Sequence, residues 1–250
     1  MHGGSSCYNA RVKNGLARGV ANTAFGAWWT AWMVSVCAAH AAAVRDRATF
    51  VRLQRVWAAG LARVWGMEVT TFGADRMDPA QTYVVMSNHQ SHVDIPTLLV
   101  ALPVVPGFLA KKELRRVPFL GLALELGGHV LIDRTRRVDA FRALEEAAKQ
   151  VRAGSTLVVF PEGTRSASPT LCSFKKGGFH LAKQAGVPIV PVGIRGTRAI
   201  LPKHGRLVRP GPVEVHIGTP IGADEIAQLA LPRLMERVRK EIALLGDYAS

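Results

Sequence analysis

The chain has 250 residues, 48% of them hydrophobic, a formal net charge of +14 and three cysteines, Cys7, Cys37 and Cys172. That length suits one domain with a modest extension and can bury a substantial core. The charge predicts anionic partners, phosphorylated small molecules, an acidic lipid surface or nucleic acid; the basic residues are too dispersed for a nucleic-acid tail, and the cysteines too few and scattered for a disulfide framework or a CxxC metal site, as in a reducing compartment.

From Val20 to Val44 there is no charged side chain. The run reaches the length of about 20 residues that a membrane span needs. Asn22, Thr23, Thr30, Ser35 and His40 dilute it, and alanine fills its second half. Trp28, Trp29 and Trp32 are spaced for one helical face, as in an interfacial anchor. Arg11, Lys13 and Arg18 precede the run, and Arg45, Arg47, Arg52 and Arg55 follow it. Positive charge at both ends favours a half-inserted or re-entrant helix; a full span would still leave the main domain cytoplasmic. A helix of a soluble core and a leader cleaved near Ala41 are the competing readings. Thr49–Gly66 places Val51, Leu53, Val56, Trp57, Leu61, Val64 and Trp65 at helical spacing with arginines opposite. It reads either as a basic amphipathic helix on anionic lipid or as a docking helix of the main domain.

After Gly66 the pattern changes to short β-branched runs alternating with helical ones. Strands are expected at Met67–Phe72, Thr82–Ser87, Gly107–Lys111, His129–Asp133, Thr156–Phe160, Pro188–Ile194 and Val213–Gly218. Helices are expected at Arg137–Ala153, with a stripe of Val138, Phe141, Leu144 and Val151 and a Glu145–Lys149 pair, at Gly177–Gln184, and at Asp224–Leu245 with a kink at Pro232. The alternation predicts an α/β fold: a mixed, largely parallel sheet covered by helices on both faces, after an N-terminal membrane-associated helical segment.

Ligands of such sheets collect where loops leave the strand ends. SNHQSHVD follows TYVVMS, and PEGTRS follows TLVVF. Asp94 precedes IPTLLVAL, with Pro96 in its first turn, so one reading makes it a helix N-cap. The other turns the chain at the helix start and brings Asp94 to His89, fixing the tautomer and leaving the second nitrogen as a base. His89, His92 and Asp94 are also possible metal ligands, but their spacing matches no metal motif and no second His/Cys cluster completes a set. In the second loop Gly163 permits close backbone approach, Thr164 and Ser166 carry hydroxyls, and Arg165 offers a fork for phosphate with Glu162 as its brace. An ordinary surface turn is the bland alternative. Lys175 and Lys176, at a helix start, extend the anion-binding rim.

NHQSHVD, FLAKKELRRVPFLG, GGHVLIDR, FPEGTRS and VPIVPVGI follow one another between Tyr83 and Ile194. Together they resemble the lysophospholipid (1-acylglycerol-3-phosphate) acyltransferase family. His89 and Asp94 match its H-x4-D signature; Lys111, Glu113, Leu114, Pro118 and Gly121 match its second block; GGHVLIDR, ending at Arg134, matches its G-x-x-x-I-x-R region; FPEGTRS is the third block in full and VPIVPVGI the fourth. The resemblance implies acyl transfer from acyl-CoA or acyl-carrier protein to the free hydroxyl of 1-acylglycerol-3-phosphate. His89 and Asp94 would be catalytic. Glu162, Gly163, Thr164, Arg165, Arg134 and Lys111 would bind the acceptor's phosphate. No metal and no cofactor beyond the acyl co-substrate are implied. The expected partners are lysophospholipid, acyl thioester, an anionic membrane surface and acyl-carrier protein, with no nucleic acid. Residues 1–66 would be membrane-associated helices and 67–250 the acyltransferase domain, on the cytoplasmic face of the cell membrane. Competing functions are the same chemistry on lyso-ornithine lipid, another lysophospholipid or glycerol-3-phosphate, a non-catalytic lipid-binding module, and a metal-dependent hydrolase.

Overall fold

The computed structural model describes residues 4–43, 47–116, 124, 127–133, 137–168 and 170–248. Its strands are β1 (Met67–Phe72), β2 (Val84–Ser87), β3 (Gly107–Lys111), β4 (Val130–Ile132), β5 (Leu157–Val159), β6 (Ile189–Arg195) and β7 (Gly211–Ile217). All lie close to their expected bounds. They form one sheet in the order β1-β7-β6-β2-β5-β3-β4. Every neighbouring pair is parallel except β6 and β7. The sheet is thus mixed and largely parallel.

Side chains alternate across a strand, and both faces of this sheet are covered. Val85 and Val158 face a core that includes Ala58, Ala62, Leu98 and Leu99 from α2 (Arg47–Trp65) and α3 (Asp94–Ala101). Val84, Met86, Leu157 and Val159 face the opposite core. There they meet α4 (Arg137–Arg152), α5 (Gly177–Ala185) and, beyond the four-residue α6 (Thr197–Ile200) and the short α7 (Ala223–Gln228), α8 (Leu231–Leu245). Leu98 and Leu181 are fully buried, one in each core. Truncating either to alanine removes transfer energy and leaves a cavity, at a cost of about 2–5 kcal/mol.

Three local expectations are corrected. Pro232 starts a separate helix at its first turn, where its missing N–H costs nothing, and produces no kink. Val138 and Phe141, the outer end of the α4 stripe, are exposed. On that helix Lys149 pairs with Glu146 at 3.9 Å, one residue nearer than Glu145.

The N-terminal pair is α1 (Gly4–Ala43) and α2. Two glycines let them approach: the Trp65 ring fills the space beside Gly26, and the Trp29 ring lies 2.5 Å from where a Cβ on Gly60 would sit. Trp29 Nε1 donates to the Trp57 carbonyl at 3.0 Å, and Trp57 Nε1 to Thr30 Oγ1 at 3.2 Å. Trp29 therefore faces inward. The outward face carries Phe25, Trp28 and Trp32 instead, all about half exposed and in ring contact at 5.1 and 6.3 Å. The three tryptophans do not share a face because adjacent positions on a helix lie about 100° apart. Among the described residues no helix is long and apolar enough to cross a membrane. The inner face of α2 joins the sheet core through Ala58 and Ala62, and Thr23 of α1 accepts from the Val208 N–H at 3.0 Å.

Candidate active site

β2 and β5 are adjacent and parallel, with Val84 opposite Leu157 and Met86 opposite Val159. The loops that follow them therefore leave the sheet at one rim. A backbone bond ties them together: the Ser166 N–H donates to the His89 carbonyl at 2.7 Å.

Within the first loop the chain turns so that Asp94 looks back. Its Oδ2 lies 2.8 Å from His89 Nδ1 and also accepts the N–H groups of Gln90 at 2.8 Å and Ser91 at 2.9 Å. Asp94 is the first residue of α3, not its cap; Val93 occupies the cap position without a side-chain bond. A carboxylate only accepts, so His89 Nδ1 carries a proton and Nε2 of the neutral ring is free to take one. Asp94 is fully buried, while 15% of the His89 side chain reaches the surface. One face of the imidazole stacks on Phe160, with centroids 3.9 Å apart and planes at 13°. The stack continues through Phe108 to His129. His129 accepts the Phe108 N–H at 3.1 Å, and burial pushes its pKa down to about 4.

Glu162 is almost fully buried. Its two oxygens accept the N–H of His89 at 2.9 Å and the N–H of Cys172 at 2.8 Å. The expected brace to Arg165 is thus replaced: a buried carboxylate needs strong donors, and the backbone of the facing loop supplies them. Arg165 is oriented by the Lys203 carbonyl, which accepts from Nη1 at 2.9 Å, leaving the rest of the fork unused by that bond. Gly163 sits at φ 72, the left-handed region that glycine enters without strain. Thr164 is exposed beside it. His92 stands nearby: partial loss of hydration, then the Arg165 charge, hold its pKa below the ordinary imidazole range.

His89, Asp94, Glu162, Gly163, Thr164 and Arg165 thus share one rim. Lys111 ends β3, which lies beside β5 in the same direction; its side chain, like Arg134, Pro118 and Gly121, lies outside the described residues. Among the described residues no three His, Cys, Asp or Glu side chains are grouped to hold a metal ion. Lys175 and Lys176 are exposed at the start of α5, and Lys175 lines an apolar cleft of about 330 Å³ with Phe160, Pro161 and Gly163. A second apolar cleft, of about 300 Å³, lies among α1, α2 and α3 and reaches His129.

Some site residues were not foreseen. Asn88 bonds both main-chain groups of Ile194 on β6, with Oδ1 accepting at 2.7 Å and Nδ2 donating at 2.8 Å. Its place between a strand and a polar turn is a usable signal. Tyr248 has none in the sequence, yet its hydroxyl reaches Asn88 and Gln90.

The family model described as Acyltransferase matches residues 68–195. The human protein 1-acyl-sn-glycerol-3-phosphate acyltransferase alpha is 35% identical over 219 residues, covering 85% of this chain and 77% of its own. The 1-acyl-sn-glycerol-3-phosphate acyltransferase of Saccharomyces cerevisiae is 36% identical over 181 residues, 71% of this chain and 59% of its own. Among solved structures, the 1-acyl-sn-glycerophosphate (LPA) acyltransferase PlsC of Thermotoga maritima superposes with a TM-score of 0.80 at 25% identity, covering 92% of this chain and 97% of its own.

Proposed function

This chain belongs to the acyltransferase family, and we propose that it moves a fatty acyl group from a thioester to the free hydroxyl of 1-acylglycerol-3-phosphate, giving phosphatidic acid. An alcohol is a weak nucleophile at neutral pH. His89 Nε2 takes its proton as the oxygen bonds to the thioester carbonyl carbon. The carbon–sulfur bond then breaks, and the imidazolium returns the proton to the departing thiolate. Asp94 holds the tautomer and steadies the imidazolium. General base help of this kind is worth about 10²–10⁴-fold. Holding both substrates in place contributes further.

The acceptor's phosphate sits on the open side of the Arg165 fork, with Gly163 and Thr164 beside it and Arg134 and Lys111 adding charge. Glu162 acts on this site through the backbone it braces. Acyl-CoA or acyl-carrier protein is the donor; no other cofactor and no metal takes part. The two apolar clefts beside the ring stack suit acyl chains. Residues 1–66 act as the membrane-associated segment and 67–250 as the catalytic domain. The exposed Phe25, Trp28 and Trp32 support an interfacial seat on an anionic bilayer. The positive charges on either side of that segment favour the cytoplasmic face of the cell membrane.

One observation carries the reading: the residue whose imidazole Nδ1 is bound to a buried carboxylate is tied by a backbone bond to the loop bearing Arg165. The test is purified protein in detergent with 1-acylglycerol-3-phosphate and labelled acyl-CoA, the product identified by mass, alongside lyso-ornithine lipid and glycerol-3-phosphate. Labelled phosphatidic acid is the expected product. No transfer, or transfer to the other acceptors alone, contradicts the proposal.

A further inference from the structure

The last turn of the chain reaches the catalytic loop. α8 closes on β6 at Gly193, where a Cβ would overlap the backbone of Leu245 and Gly246. Arg195 fastens it there, donating from Nε to the Leu245 carbonyl at 2.9 Å. The chain then reverses: the Tyr248 N–H donates to the Ala243 carbonyl at 2.9 Å, and Asp247 adopts φ 58, which non-glycine residues seldom do. The Tyr248 ring folds over Gly246, so that a Cβ there would lie 2.5 Å from ring carbon Cε2. Its hydroxyl oxygen accepts from Asn88 Nδ2 at 2.8 Å and from Gln90 Nε2 at 2.7 Å. These two residues immediately precede and follow His89. The amide orientation of Asn88 is set independently by its two bonds to Ile194. Burial, with the negative charges of Glu162 and Asp94 nearby, pushes the phenol well above its usual range, so it stays protonated and acts as a fixed dipole.

We propose that Tyr248 is a positioning residue for acyl transfer: its phenol oxygen clamps the side chains on both sides of His89 and so holds the imidazole at its working angle. His89 would then be restrained from three sides. Asp94 holds the ring, Glu162 the amide, and Tyr248 the neighbouring side chains. Small displacements of a base cost rate and leave binding intact. The inference rests on His89 being the base.

The experiment compares wild type with Tyr248→Phe, Gly246→Ala and His89→Ala in detergent, measuring kcat, KM for each substrate and thermal midpoint. Tyr248→Phe keeps the ring and removes the acceptor. We expect kcat to fall about 3–10-fold, as for loss of one or two modest hydrogen bonds, with both KM values within about twofold of wild type. Gly246→Ala keeps the phenol but displaces the ring, so the same loss of kcat is expected from an unrelated change. It also serves if Tyr248→Phe fails to fold. In the Tyr248→Phe background, Gln90→Leu should add little, because the two positions act as a unit. Wild-type kcat in both Tyr248→Phe and Gly246→Ala, with His89→Ala inactive, overturns the Tyr248 proposal alone. A kcat loss that only tracks a lower thermal midpoint also overturns it. An active His89→Ala instead overturns the assignment of the base.

Discussion

At the sheet rim, buried carboxylates hold fixed donors: Asp94 gathers the His89 ring and the Gln90 and Ser91 N–H groups, and Glu162 joins the His89 and Cys172 N–H groups across distant sequence. In the N-terminal pair, tryptophan rings lie against glycines and the outer face is left to Phe25, Trp28 and Trp32. The first arrangement is directional. Removing one partner strands a buried polar group, so a small change there reaches the reacting atoms. The second is a matter of area, and on the proposed interfacial seat a change there acts on membrane residence. The two regions should therefore fail separately, chemistry in one and membrane residence in the other.

The largest separation is expected from Asp94→Asn. An amide keeps an acceptor for the backbone N–H groups but loses the charge that steadies the imidazolium. Turnover should fall by about 10²–10⁴-fold while binding to anionic vesicles is unchanged. Loss of vesicle binding would erase the distinction between the regions. Arg165→Ala comes next. Its guanidinium is aimed by the Lys203 carbonyl, and losing a charge-assisted contact of about 1.5–3 kcal/mol should raise KM for the acceptor roughly ten- to a hundredfold. KM for the donor should hardly move, and equal damage to both would remove the phosphate assignment.

On the other side of the comparison, Trp28→Ser with Trp32→Ser removes two rings that are each about half exposed. Vesicle partitioning should drop by about tenfold or more, given about 25 cal/mol per Å² of apolar area lost from the interface, with turnover in detergent unchanged. Sedimentation with liposomes of stated lipid composition checks the first half and a detergent assay the second.

The smallest effect is a pH effect at the far end of the ring stack. The pKa of His129 falls from 6.5 to about 4 on folding, because burial disfavours its charged form. Between those values the unfolded chain binds the extra proton. The stability that neutral His129 supplies is complete above pH 6.5 and is lost as pH falls toward 4. His129→Asn retains an acceptor for the Phe108 N–H and does not titrate. Its thermal midpoint should fall less than that of wild type between pH 7 and pH 5, by a few degrees. Equal falls would show that His129 is not buried as described.

Much of the fold was legible because its determinants are local. A run such as VVMS, apolar on both faces and bounded by polar turns, specifies a covered parallel strand by itself. The meeting of His89, Asp94 and Arg165 at one rim was legible because their loops follow two runs that read as adjacent parallel strands. What escaped depends on partners far along the chain. Glu162 braces His89 and Cys172 instead of Arg165, since which donor a buried carboxylate meets is decided by strand order. Trp29 turns inward because Gly60 opens a slot for it on another helix. Tyr248 reaches Asn88 across 160 positions, after a glycine lets α8 approach β6, and no local pattern announces that.

The central claim is that His89 does the chemistry while the neighbouring loop does the binding. It is tested most directly by giving His89→Ala the radiolabelled acceptor in equilibrium binding and, in parallel, acceptor with acyl-CoA in a single-turnover assay. Acceptor affinity should stay within about threefold of wild type, inside the spread expected for one lost contact, with no measurable phosphatidic acid on the wild-type timescale. Transfer at a near-normal rate by His89→Ala would contradict that claim.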